Sequence, residues 1–289
     1  MQNYLGQILI FIVTLIGASG WFLSKNAIAE MPSVGFMGLR FLTAALIFLP
    51  FAHRQLYRLK RIQILNASAV GIALALNLFL WVQGITYSNE LGEGAFLVSL
   101  AMLIAPLISW LLFKQRPLPV FWLSMPIALV GLYFLAIGRY GGLRFSGGSI
   151  LFLLSSLSAA FYFVLNHQYA KNIPPMSLIT IQFAIVGIVC SGYSILAESW
   201  QTTISFNTWL WFLASVLLAS NLRYFVQTIG QKHCNISTAA IIMVLEPVWT
   251  LMLSVWLMDE TVTVLKLLGC GLILCALLVY RLRLIRKAG

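Results

Sequence analysis

Charge is scarce in this sequence, and acidic charge is scarcer than basic charge. Only 9% of the 289 residues are charged, 61% are hydrophobic, and seven Asp and Glu stand against 18 Lys and Arg. A soluble domain of this length needs far more charge on its surface, so the composition excludes that class. The chain is therefore predicted to be a polytopic membrane protein with the lipid bilayer as its surroundings.

The sequence motifs of metal sites, redox pairs, common enzyme active sites and signal peptides are also missing. The four cysteines show no spacing of a metal site or a redox pair, and His53, His167 and His233 are scattered. No P-loop and no nucleophile elbow occurs, and no Lys or Arg precedes Lys25, where a signal peptide would need positive charge. The sequence predicts no enzyme, no metal and no other cofactor. The net charge is +11, but the basic residues lie between apolar segments and not along one face, so no nucleic-acid partner is predicted.

Long apolar segments are what the chain does contain. A bilayer core needs about 20 apolar residues per helix, and ten segments meet this requirement. Their connections are short, which leaves no room for a soluble domain. The predicted spans are Leu5–Ser24, Ser33–Phe51, Ile64–Gly84, Gly94–Phe113, Val120–Ile137, Gly148–Leu165, Met176–Leu196, Trp209–Gln227, Ile236–Leu257 and Val264–Tyr280.

The Lys and Arg residues of the connections predict the orientation. With the N-terminus in the cytoplasm, the inner connections and the C-terminal tail hold twelve Lys and Arg, and the outer connections hold four. Cytoplasmic loops are rich in Lys and Arg, so both termini are predicted to be cytoplasmic, in a bacterial inner (plasma) membrane. The other two basic residues, Arg40 and Arg223, lie within spans.

The second half of the chain resembles the first. Identical residues recur in order at separations of 141 to 144 positions: Gly6 and Gly148, Pro32 and Pro174, Phe41 and Phe183, Gln83 and Gln227, and the mid-span prolines Pro106 and Pro247. Five spans per half is an odd number, so residues 146–289 must enter the membrane from the side opposite to residues 1–145. Secondary transporters have such inverted repeats, with substrate sites near the midplane at the repeat interface.

One long segment carries a resemblance to a known family. The stretch "VQTIGQKHCNISTAAIIMVLEPVWTLMLSVWLMDET" (Val226–Thr261) is similar to the closing segment of EamA-type members of the drug/metabolite transporter superfamily, with a mid-helix proline and an acid at the helix end. The first half keeps Pro106 but ends its helix with Lys114 and Gln115 and has no acid there. The resemblance implies a ten-helix carrier of small metabolites and does not name the substrate.

These observations together predict a secondary transporter that exports an amino acid, a related amine or another small metabolite by alternating access. A drug or toxic-compound efflux carrier and a membrane channel are the alternatives. The predicted partners are the small-molecule substrate, the lipid bilayer and, as one option, a coupling proton. The oligomeric state stays undetermined.

Glu246, followed directly by Pro247, is the first candidate site residue. A charge near the bilayer centre costs about 2.5–3.5 kcal/mol or more, and proline removes a helical hydrogen bond, so an irregular backbone is predicted here. Glu246 either carries a proton or binds a substrate amine, or it has a structural role. In that role it satisfies backbone groups that Pro247 leaves free, or it ties two helices together. Pro106 is the matching predicted helix break.

Arg40 is the second candidate, predicted about 10 Å below the outer edge of span two. Its planar guanidinium either clamps a substrate carboxylate or forms an ion pair with Glu90 or Glu93. Arg223 is predicted to be a topology anchor that extends to the cytoplasmic edge.

The remaining candidates are uncharged. Trp81 and Tyr162 either line a cavity or belong to the aromatic belt and the packing. Asn77 is a candidate substrate contact whose default role, like that of Gln83 and Asn166, is interhelical hydrogen bonding. Finally, the small residues of span one include Gly17 and Gly20, which are predicted either to flex as a hinge or to permit close helix packing.

Overall fold

The computed structural model describes residues 2–87, 91–136, 147–258 and 263–288, and these residues form ten helices and no strand. Each predicted span coincides with one helix, so the all-α prediction is confirmed. The helices are α1 (Gln2–Ala27), α2 (Ser33–Leu56), α3 (Arg61–Tyr87), α4 (Leu91–Phe113), α5 (Pro119–Ala136), α6 (Gly147–Tyr169), α7 (Pro175–Ala197), α8 (Phe206–Lys232), α9 in two parts, α9a (Ile236–Met243) and α9b (Glu246–Met258), and α10 (Val264–Ala288).

The outer surface of the bundle is apolar. Seven helices, α1 to α3 and α6 to α9, are long and apolar enough to cross a bilayer. Over their described residues the apolar parts of α4, α5 and α10 are shorter, namely Leu97–Phe113, Pro119–Phe134 and Leu267–Tyr280. Large side chains such as Leu111 and Leu196 are 82% and 89% exposed. Lipid covers such a surface without the cost that water imposes, because apolar area in water is unfavourable.

Several helices begin where the sequence offers a cap or a proline. Pro175 is the first residue of α7, where a helix does not use the N–H that proline lacks. The Ser205 hydroxyl accepts a hydrogen bond from the Thr208 N–H at the start of α8, and the Asn235 side chain accepts one from the Ser237 N–H at the start of α9a.

Two glutamates cap helices that belong to the other half of the chain. The Glu198 carboxylate accepts hydrogen bonds from the N–H groups of Val34 (3.0 Å) and Gly35 (2.7 Å) at the start of α2. The Glu30 carboxylate accepts from the N–H (2.7 Å) and the hydroxyl (2.9 Å) of Ser205. These carboxylates favour the positive end of each helix and tie the halves together at one end of the bundle.

The opposite end of the bundle is tied by uncharged groups. The amide of Gln63 donates to the Asn172 carbonyl at 2.9 Å, and the Ser177 hydroxyl donates to the Gln55 amide oxygen at 3.4 Å. The hydrogen bonds between the halves therefore use carboxylates at one end of the bundle and uncharged groups at the other, although they join corresponding helices.

Helices α1–α5 and α6–α10 pack as two matched sets. The helices α2 and α7 pack against each other, as do α5 and α10. The packing of α3 on α6 has its counterpart in the packing of α1 on α8. This matched packing agrees with two inverted five-helix repeats. The predicted boundary between residues 145 and 146 falls in residues 137–146, outside the described residues, and stays a prediction.

Two helices of the second half are irregular. In α8, Ser215–Leu222 form a wider π-helical segment. Helix α9 is broken at Val244 and Leu245, directly before Glu246 and Pro247. The irregular backbone predicted at Glu246-Pro247 is therefore present.

The other predicted hinges are in unbroken helices. Helix α4 runs through Pro106, and α1 runs through Gly17 and Gly20. The break predicted at Pro106 is wrong in this structure, because a proline removes one hydrogen bond without having to end the helix. Gly17 and Gly20 permit close helix contacts, which agrees with the packing alternative: a Cβ at Gly20 would lie 3.0 Å from the Ala219 Cβ. Their role as a hinge stays a prediction.

Candidate substrate cavity

A cavity of about 100 Å³ lies inside the bundle, between helices of both halves. It has room for several water molecules or a small solute. Eight of the nine site residues predicted from the sequence line it: Gly17, Gly20, Arg40, Asn77, Trp81, Tyr162, Glu246 and Pro247. The ninth, Pro106, is not among the lining residues.

Glu246 and Arg223 form an ion pair at the wall of this cavity. One terminal nitrogen of Arg223 donates to both carboxylate oxygens of Glu246, at 2.8 and 3.1 Å. The side chains are 22% and 14% exposed for Arg223 and Glu246, respectively. The prediction that Arg223 extends to the cytoplasmic edge is wrong, because a carboxylate inside the bundle offers the guanidinium a stronger partner than the membrane surface does.

The surroundings of Glu246 are shaped to hold its carboxylate. The carboxyl group lies directly against α1, where a Cβ at Gly17 would be only 2.7 Å from the Glu246 Cδ. The Thr250 hydroxyl donates to the Glu246 carbonyl at 3.0 Å, and the Trp249 indole N–H donates to the Thr14 hydroxyl at 3.0 Å. Gly17 thus provides the space for an acid, and α9b is fixed to α1 beside it.

Arg40 lies in the same cavity but has different partners. Its Nε donates to the Ser220 hydroxyl at 2.6 Å, and one terminal nitrogen donates to the Ser24 hydroxyl at 3.0 Å. The residue is 4% exposed, and its guanidinium lies 5.7 and 5.5 Å from the ring centres of Phe36 and Phe41. No carboxylate among the described side chains pairs with it.

The predicted partners of Arg40 cannot be placed beside it. Glu90 lies outside the described residues, and the same holds for the side chain of Glu93. The two serines that do bind Arg40 come from α1 and from the π-helical segment of α8. Helices from both halves therefore fix the orientation of the guanidinium.

The cavity also has an apolar wall and an unsatisfied hydroxyl. Trp21 and Trp81 meet edge to face with ring centres 5.0 Å apart. The Tyr162 hydroxyl is buried and has no hydrogen-bond partner in the described part of the chain. Its ring lies 6.1 Å from that of Tyr224, which also lines the cavity. A buried O–H without a partner is costly, so a bound molecule or water that accepts its hydrogen bond is favoured.

Asn77 makes the interhelical hydrogen bonds that were its default prediction. Its amide nitrogen donates to the carbonyl and to the hydroxyl of Ser155, both at 3.0 Å, and the Ser155 hydroxyl donates to the Asn77 carbonyl at 3.2 Å. Asn77 therefore joins α3 to α6 at the edge of the cavity.

A second polar cluster is fully buried in the bundle. The Gln182 amide donates to the Asn166 side-chain oxygen at 2.9 Å, and the Asn166 amide donates to Gln231 and to Thr228. These hydrogen bonds connect α6, α7 and α8, as predicted for Asn166. Among the described residues there is no group of three or more His, Cys, Asp and Glu placed to hold a metal ion.

Sequence reasoning missed six polar lining residues: Ser24, Ser99, Arg223, Tyr224, Gln227 and Thr250. A signal for Arg223 was available, because it lies within a span and Glu246 is the acid nearest the middle of one. An arginine and a glutamate that both occur inside a membrane are expected to pair. No comparable signal marks the two serines, the threonine or the tyrosine, because such residues are common in membrane helices.

The comparisons with known proteins agree with this architecture. The sequence profile of the EamA-like transporter family matches residues 4–137 and 146–282. An uncharacterized transporter of Archaeoglobus fulgidus is 28% identical over 94% of this chain and 84% of its own length. The uncharacterized transporter YvbV of Bacillus subtilis is 25% identical over 93% of this chain and 89% of its own length.

A solved crystal structure of another protein has the same fold. It superposes with a TM-score of 0.82 over 99% of this chain and 100% of its own, at 16% sequence identity. At that identity the likeness concerns the fold alone. The family match covers both halves of the sequence, and this chain belongs to the EamA-like transporter family.

Proposed function

We propose that the protein is a secondary carrier that exports a small metabolite by alternating access. The observation that carries this proposal is the cavity between the two halves, which holds Arg40, Arg223 and Glu246 in the middle of the bundle. Intramembrane charges are expensive, and they mark substrate or ion pathways in membrane proteins. Inverted repeats support exchange of access, because either half can rock against the other around a fixed site.

The Glu246–Arg223 pair supplies a switch for such a cycle. Protonation of Glu246 removes its charge and releases the Arg223 guanidinium, which is then free to bind an acceptor on the substrate. Loss of the proton restores the pair and displaces that substrate. A coupling proton is therefore part of the proposal. Amino acids remain candidate substrates because they carry a carboxylate.

The orientation of the protein in the membrane is proposed from the loop charges. The inner connections and the C-terminal tail hold twelve Lys and Arg, and the outer connections hold four. Because cytoplasmic loops are rich in Lys and Arg, both termini lie in the cytoplasm of a bacterial cell, and the protein lies in its inner membrane. A reporter enzyme that is active only outside the cytoplasm gives no signal when fused to the C-terminus. A strong signal contradicts this orientation.

Flux measurements in reconstituted vesicles test the carrier mechanism. A screen of internal and external metabolite pools, with and without overexpression, first supplies a substrate. A carrier shows flux that saturates with substrate and is accelerated by unlabelled substrate on the far side. Conductance that does not saturate, at the rate of an open pore, contradicts the proposal and favours a channel.

An efflux carrier for amphipathic drugs is the second candidate. The edge-to-face pair Trp21 and Trp81 favours it, because aromatic walls bind apolar bodies of many shapes. Transport of many unrelated amphipathic compounds, with no preferred metabolite, distinguishes this function from the first.

A further inference from the structure

We infer that the substrate is a small organic anion, a carboxylate with an apolar body, and that Arg40 is its anchor. The inference rests on the proposed carrier function and adds the charge class of the substrate. Its starting point is the charge of the cavity. The described lining residues include two guanidinium groups, Arg40 and Arg223, and a single carboxylate, Glu246. Among the described residues, one positive charge is therefore left over.

The excess charge belongs to Arg40. Glu246 binds Arg223 through both oxygens, whereas Arg40 has only the neutral hydroxyls of Ser24 and Ser220 as hydrogen-bond partners among the described residues. Removing an ion from water costs several kcal/mol, and hydroxyl groups offset only part of this cost. A bound carboxylate supplies the missing counter-charge, and the guanidinium is already held in place to receive it.

The same arrangement disfavours a cationic substrate. An amine has to bind Glu246, whose two oxygens already accept hydrogen bonds from Arg223. Its charge also adds to the excess positive charge of the cavity. A zwitterion leaves that excess unchanged, whereas a monoanion removes it. The expected order of affinity is anion, then zwitterion, then cation.

The rest of the cavity fits an anion with an apolar body. Trp21 and Trp81 form an apolar wall, next to Val98 and Met102. The Tyr162 hydroxyl, buried and without a partner in the described residues, is a donor that a carboxylate oxygen accepts. A small carboxylate therefore satisfies both kinds of surface at once.

A matched set of four compounds tests the charge class on the unmodified protein. Isocaproate, leucine, isoamylamine and isocaproamide share a branched apolar body and carry, at neutral pH, a negative charge, both charges, a positive charge and none. Binding to the purified protein is followed by tryptophan fluorescence and by the thermal unfolding temperature. We expect isocaproate to bind most tightly and isoamylamine least. Binding of isoamylamine or leucine as tight as that of isocaproate overturns the inference.

An Arg40→Gln variant tests the anchor, with Arg58→Gln as a control that removes an exposed arginine outside the cavity. The affinity for isocaproate falls about tenfold or more in Arg40→Gln, as for loss of a hydrogen bond to a charged group. The affinity for isocaproamide stays within the error of the control. Unchanged isocaproate affinity contradicts the assignment. Should Arg40→Gln fail to fold, Arg40→Lys keeps the charge without the planar fork, and a partial loss is expected.

Flux separates this inference from the proposed carrier function. Tight binding of isocaproate without flux in vesicles leaves the anion site standing and contradicts the carrier. Saturable flux of leucine or isoamylamine, with no binding of isocaproate, leaves the carrier standing and overturns the anion site.

Discussion

The two mid-helix prolines occupy matching places in the two halves, yet only one of them accompanies a broken helix. Helix α4 continues through Pro106, whereas helix α9 is interrupted just before Glu246 and Pro247. Both prolines lack the same N–H, so the proline alone does not explain the break. The preceding residues differ: Ala105 in the first half and Glu246, paired with Arg223, in the second.

The opposing helices differ in the same way. Gly17 of α1 faces the Glu246 carboxyl group, and the residue 142 positions later is Ala159, which belongs to an apolar cluster with Ala105. Arg40 likewise corresponds to Gln182. The halves therefore share a fold, but the charged residues Glu246 and Arg40 each match an uncharged residue in the other half. The symmetry belongs to the scaffold and the asymmetry belongs to the site.

Breaking the ion pair of the second half is expected to have the largest effect. Glu246→Gln nearly abolishes flux, and it destabilises the protein by about 3–5 kcal/mol because Arg223 is left as an unpaired charge. The double variant Glu246→Gln with Arg223→Gln recovers folding, because replacing both partners is often close to neutral. Folded yield and vesicle flux are measured for all three proteins. Flux at the parental level in the double variant shows that the pair is only structural.

Making α1 more like α6 is expected to have the next largest effect. In Gly17→Ala the new methyl group meets the Glu246 carboxyl at 2.7–2.9 Å, so the carboxylate must move and the pair with Arg223 is distorted. Flux is expected to fall about tenfold, as for loss of a charged hydrogen bond.

Gly192→Ala is the matched control for that substitution. Gly192 lies within α7 and has nothing within 4 Å of an added Cβ. Alanine there is expected to leave flux unchanged and to stabilise the helix by about 0.5–1 kcal/mol. Equal flux in Gly17→Ala and Gly192→Ala removes the role assigned to the space beside Glu246.

A smaller effect is expected at the uncharged counterpart of Arg40. Gln182→Met keeps the approximate volume but leaves the Asn166 oxygen without the hydrogen bond from Gln182, which costs about 1–3 kcal/mol of stability. The thermal unfolding temperature therefore decreases, while flux per folded molecule changes less than in the variants above. Gln201→Met, at an exposed position, is the control. An unfolding temperature equal to that of the control contradicts the structural role of the cluster.

The smallest effect is expected at the hydrogen bonds between Glu30 and Ser205, which join the two halves at one end of the bundle. The backbone N–H of Ser205 lowers the pKa of Glu30 below its ordinary value of 4.5. A lowered pKa means that the ionised form stabilises the fold above about pH 4.5, and that this stabilisation is lost as the pH falls through the lowered value. Parent and Glu30→Gln are therefore expected to differ slightly in unfolding temperature at pH 6 and to converge in acid. A constant difference over this range contradicts the assignment.

Much of the fold could be predicted because a membrane-spanning helix needs a long run of apolar residues, which is visible in the sequence. Each predicted span coincides with a helix, and the repeat follows from residues such as Pro106 and Pro247. The candidate residues Glu246 and Arg40 could be found because a charge inside a span is rare. The π-helical segment at Ser215–Leu222 had no signal in the sequence, since the residues there are compatible with an ordinary helix.

The sequence by itself determined the ten-helix class, the two related halves and the position of the irregular backbone. Hydrophobic length and the cost of buried charge act locally, so they can be read along the chain. Only the tertiary structure decided that Arg223 pairs with Glu246, that Gly17 makes room for the carboxylate and that Arg40 has serines as partners. Those facts depend on which faces of α1, α2, α8 and α9 meet, and packing between helices distant in sequence fixes that choice.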